Sequence, residues 1–260
     1  MEINYLEFIL TFQVFFLVLI RVTGMFVIAP IFGRQNMPPY YKIGFSFFVA
    51  LIITNTIPVD RLMTFNSVWE YAPLILQEFL VGLILGYIGY LVFAGIYIAG
   101  QLIDMKIGFG IVNIMDPMTN IQVPITANFY TTTTMLIFLI SGGHHILINA
   151  LHESYTLVGL GQASFTSLLL DDVIRLFGSI FSIGFKIAAP IIGAVMVADI
   201  ALGIITKTVP QLNVFVVGMP LKILLGLIII FITVPSFIGI VDFMIRGIDS
   251  EMYVFLKSLG

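Results

Sequence analysis

Six ionisable side chains stand where charge is expensive: Arg21, Glu78, Asp104, Lys186, Asp199 and Lys207 lie in or beside long apolar runs. A charge in the middle of such a run costs at least about 2–3 kcal/mol if it faces hydrocarbon. Each therefore needs a countercharge, backbone carbonyls or water. That need is met either by an ion or proton path or by ion pairs that hold helices together. Asp199 and Lys207 share a side of a helix, about 80° apart at 3.6 residues per turn, but cannot touch. A proton relay wants closer spacing.

Other chemistry has less behind it. His144, His145 and His152 have only Glu153 as a nearby carboxylate, and their spacing matches no zinc motif, so no metal is expected. Ser, His and Asp occur without any placement as a triad, and no enzyme activity is expected. The hydroxyls of Thr131 to Thr134 are expected to bond carbonyls one turn earlier in a helix. Gly108-x-Gly110 lacks the third glycine of a dinucleotide fingerprint and follows a helix, so no cofactor is implied. With no cysteine, disulfides and thiolate metal sites are excluded. A net charge of −3 carries no basic surplus for nucleic acid.

The elements that must position these residues are helices. The 260 residues are 60% hydrophobic and 10% charged, with a mean hydropathy of +1.12; soluble proteins carry about 25% charged residues. The expected class is an all-α integral membrane protein. The first apolar run follows Glu2 and Glu7 and no Lys or Arg, which is the wrong start for a cleaved signal, so it is expected to remain as a helix. A span takes about 20 apolar residues. Runs at 8–33, 43–59, 79–103, from about 124 to 143, 176–206 and 223–241 give about six hydrophobic helices. Residues 153–175 read as a water-facing connection, and 242–260 as an amphipathic tail helix with Met244, Ile248, Met252, Phe255 and Leu259 on one side. Gly82-x-x-x-Gly86 invites the close approach of another helix. One membrane domain is expected over residues 1–260, with N-terminal helices over 1–100, an irregular loop over 101–124 and C-terminal helices over 125–260.

That loop is the least helical part of an apolar chain. Gly108, Gly110, Pro117 and Pro124 interrupt any helix, while Phe109, Ile114, Met115 and Met118 would make a poor solvated loop. Apolar irregular backbone persists at membrane depth only when buried in protein or lining a cavity. The residues alone leave several readings open: a plug or gate with methionines as an adaptable seal, a rigid re-entrant connection, a secondary transporter working through Glu78, Asp104 and Asp199, or a scaffold.

The stretch AAPIIGAVMVADIALGIITKTVPQLNVFVVGMPLK, residues 188–222, closely resembles the FliR family of flagellar type III secretion export-gate proteins, whose injectisome relatives share the architecture. Pro210, Gln211, Asn213, Phe215 and Pro220 carry its most specific part. LIRVTGMFVIAPIFG, GQLID, GFG, MDP, Gln122-x-Pro124 and GHH extend the likeness along nearly the whole chain. Lys106 departs from it, where the family usually has glutamine. The resemblance implies a non-enzymatic subunit at the flagellar basal body of the bacterial cytoplasmic membrane, assembled with FliP-type, FliQ-type and FlhB-type proteins into a pore for unfolded flagellar subunits. It also implies a helical assembly raised above the bilayer plane. The plug it implies comprises Met105, Lys106, Gly108, Phe109, Gly110, Ile114, Met115, Asp116, Pro117, Met118 and Gln122. Lys106 is expected to anchor it by pairing with Asp104 or Asp116.

Overall fold

The computed structural model describes residues 2–33, 37–57, 68–109, 124–211 and 213–260. Among them are seven helices: α1 Glu2–Ile28, α2 Pro39–Thr54, α3 Val68–Ile107, α4 Ile125–Ile140, α5 Gly143–Leu157, α6 Ser167–Thr208 and α7 Val214–Leu259. No strand occurs among the described residues. The all-helical class stands. By length and composition four helices can cross a membrane, or five if α4 and α5 count as one, so the expected number of about six holds only approximately.

The differences from the expected runs have local causes. Helices α3, α6 and α7 have 40, 42 and 46 residues, each about twice the length needed to cross hydrocarbon. Charges that seem to end a run, such as Glu78 or Asp242, lie inside them. The expected sixth run and the tail are one helix, α7. Residues 153–175 are helical through Leu157 and again from Ser167, leaving only 158–166 as the connection. Proline starts α2, where Pro39 occupies the first turn and its missing N–H is not needed. After α1, Pro30 and a left-handed Ile31 (φ 74°) turn the chain, closed by Gly33 N–H donating to Ala29 O at 2.7 Å.

The chain divides into two compact units. One comprises Met1–Leu91, Gly142–Ile174 and Arg246–Gly260; the other comprises Val92–Ser141 and Arg175–Ile245. In the first, α1 crosses α3 at glycines. A Cβ placed on Gly24 would lie 2.6 Å from Phe79 O, and one on Gly86 would lie 2.5 Å from Met25 O; one on Gly82 would collide with Arg21 O. The Gly82-x-x-x-Gly86 pair thus lets two backbones touch. Phe26, Phe32 and Phe45 cluster where α2 packs on α1, with ring centroids 4.5–5.3 Å apart. The end of α7 closes this unit with buried Ile248, Met252, Phe255, Leu256 and Leu259.

In the second unit the same device recurs further along α3. A Cβ on Gly184 of α6 would lie 2.7 Å from Gly95 O, and Gly100 abuts Ala127 of α4. Tyr130 stacks on Phe237 at 4.2 Å, and Phe93 meets Phe138 edge-on at 5.6 Å.

Candidate functional site

Arg21 and Glu78 form the most completely buried polar centre among the described residues, both side chains being fully inaccessible. Arg21 Nε donates to Glu78 Oε2 at 2.6 Å and Nη2 donates to Oε1 at 3.0 Å. Nη1 donates to Ser154 O and Oγ, each at 3.0 Å, and to Val158 O at 3.2 Å. Glu78 Oε1 also accepts the Gly161 N–H at 2.8 Å, and the guanidinium lies 4.3 Å from the Tyr155 ring centroid. A planar fork against a carboxylate is the strong geometry for such a pair, and the added bonds offset the desolvation of both ions. The sequence required a carboxylate, carbonyls or water around Arg21; the fold supplies the first two. Both Glu78 oxygens are engaged, so the centre suits a fixed clamp better than an ion relay. Ser154, Tyr155, Val158 and Gly161 were missed because their stretch read as a water-facing connection. The available signal was arithmetic: five guanidinium N–H donors exceed what one carboxylate accepts.

The neck of the central segment is held by Asp104. Its buried carboxylate accepts the N–H of Thr126 at 3.0 Å and of Ala127 at 3.3 Å, the second and third positions of α4. Pro124, which precedes that helix, has no side-chain acceptor, so Asp104 does the work of an N-cap from the end of α3. The helix dipole favours an anion there. Gly108 (φ 100°) ends α3, with its N–H on Asp104 O at 3.1 Å. Met105 and Lys106 are exposed on the last turn, and Phe109 is half-buried. A Lys106–Asp104 pair is not found among the described contacts. Gly110, Ile114, Met115, Asp116, Pro117, Met118 and Gln122 lie outside the described residues.

The signature residues build the turn between α6 and α7. Pro210 and Gln211 are exposed just after α6 ends at Thr208, and Asn213 caps α7, its carbonyl accepting Val216 N–H at 3.1 Å and Val217 N–H at 3.2 Å. Phe215 falls in the first turn of α7 and Pro220 within that helix. Asp199 pairs with Lys222, joining α6 to α7, and not with Lys207 of its own helix. Lys186 and Lys207 are exposed and have no countercharge among the described residues. His144 and His145 place their rings 4.1 Å apart, and His152 Nε2 lies 3.1 Å from Thr56 Oγ1. Among the described residues no three potential ligands gather round a metal position.

By its sequence the chain, helical throughout its described elements and clamped by an internal charge pair, belongs to the bacterial export proteins, family 1, matched over residues 12–248. Its relatives include the flagellar biosynthetic protein FliR of Bacillus subtilis (strain 168), 39% identical over 85% of this chain and 86% of that protein. The FliR proteins of Aquifex aeolicus (strain VF5) and Escherichia coli (strain K12) are 32% and 27% identical, each over 83% of this chain, covering 83% and 82% of their own lengths. The resemblance to the FliR family therefore holds along most of the chain.

Proposed function

We propose that this chain is a non-enzymatic subunit of the flagellar protein export gate in the bacterial cytoplasmic membrane. It contributes to the pore for unfolded flagellar subunits, and its central segment is the plug. The partners are FliP-type and FliQ-type subunits and an FlhB-type protein. Family membership supports the class. The observation that carries the plug reading is the Asp104 clasp, which ties the end of α3 to the start of α4 on either side of the central segment. A loop so tethered can block a conduit without loosening the helices that present it. Deleting residues 110–118 is expected to preserve assembly and to make cells leak ions and small solutes. An unchanged barrier in a correctly assembled complex would rule the plug out.

A further inference from the structure

Lys186 stands exposed on α6, where none of the described residues answers its charge. The nearest charges along its helix are Arg175 and Asp199, about 16 Å and about 20 Å away at 1.5 Å per residue. The four-carbon stem of a lysine is too short to bring its ammonium to the neighbourhood of either.

Within two turns of Lys186 its own face of the helix carries mostly small side chains. Ser179, Ser182, Pro190 and Gly193 lie within about 40° of Lys186, all exposed, and a Cβ on Gly193 would meet nothing within 4 Å. Phe177, on the opposite side, is an exposed large ring. The most apolar window of α6 buries only 22% of its residues, against 61% for α3, which other helices cover. A low-profile face with one uncompensated cation is complementary to a close-approaching helix that brings one anion.

We propose that this face of α6, centred on Lys186, seats an apolar helix of another membrane subunit carrying a single Asp or Glu opposite the ammonium. The proposal rests on the export-gate reading and adds the contact surface and the chemistry of what covers it.

The test uses the full export complex isolated in mild detergent. Lys186→Glu places two carboxylates together and should lower recovery of partner subunits by about tenfold or more. Lys186→Met, which leaves only the partner's charge unpaired, should lower it less. A photo-crosslinking residue at Ser182 should form an adduct with an apolar helix containing Asp or Glu, whereas one at Phe177 should not. Changing that acidic residue to Lys should restore recovery of Lys186→Glu. Wild-type recovery with Lys186→Glu would overturn the proposal. So would a Ser182 adduct with phospholipid or with a second copy of this chain, or free labelling of Ser182→Cys by a charged thiol reagent in the assembled complex, which marks a water-lined face. If Lys186→Glu fails to fold alone in detergent, the adduct and the methionine variant decide. A wild-type chain that recovers no membrane subunit would defeat the export-gate reading itself, a separate outcome from loss of this contact.

Discussion

At the scale of single residues, the decisive interaction is the clamp between Arg21 and Glu78. Removing one partner leaves the other ion buried and unpaired, which costs about 3–5 kcal/mol, whereas replacing both with apolar side chains is often nearly neutral. Glu78→Gln is therefore expected to lower the melting temperature in detergent sharply, and Arg21→Met with Glu78→Met to recover most of the loss. Thermal melts followed by circular dichroism read both. If Glu78→Gln melted like the parent, the pair would have no structural role and an ion path would return as the better account. Asp199 differs in kind. It pairs with Lys222 outside any buried centre, with both side chains partly exposed, and joins α6 to α7.

At the scale of elements, helix crossings in this chain are set by where glycine falls. Gly82 has Arg21 O in the space a Cβ would occupy, while a Cβ on Gly239 would meet nothing within 4 Å. Alanine at Gly82 must push α1 away from α3, at a cost of about 1–3 kcal/mol. The same change at exposed Gly239 removes only backbone entropy from the unfolded chain and should stabilise α7 by about 0.5–1 kcal/mol. The two variants should shift the melting temperature in opposite directions. A shift of the same sign and size in both would mean that helix propensity, and not backbone contact, governs the crossing. The central segment shows the other elemental device, one helix capping another: α4 begins at a proline that offers no acceptor, and the carboxylate comes from α3.

At the scale of the whole molecule, the C-terminal residues belong to the core of the unit that begins with Met1. Met252, Phe255, Leu256 and Leu259 are buried, and Leu259 O accepts the Ser164 N–H at 2.7 Å and its hydroxyl at 3.1 Å. Removing residues 252–260 takes four buried apolar side chains from that unit. Burial of each such side chain contributes about 1.5–3 kcal/mol. The truncated chain should lose its single symmetric peak on gel filtration and become open to proteolysis between 158 and 166. A tail that merely lay on a membrane surface would tolerate the cut.

The sequence by itself determined the class of the molecule, because 60% hydrophobic composition and charge-free runs leave helices as the only economical way to satisfy the backbone. It located Arg21 as a charge that must be answered, Gly82 and Gly86 as an approach point, and, through the signature at 209–222, the family. Tertiary structure alone decided which groups answer which. Arg21 meets Glu78, 57 residues on, and Ser154, 133 residues on; Asp104 reaches across an entire loop to α4; Asp199 pairs across a turn with Lys222. Local periodicity reports only what neighbours within a turn or two can feel, whereas these partners are chosen by the packing of distant segments. Helices α6 and α7 outrun their charge-free stretches for the same reason, since a charge ends a run in a hydropathy profile but not in a fold that compensates it.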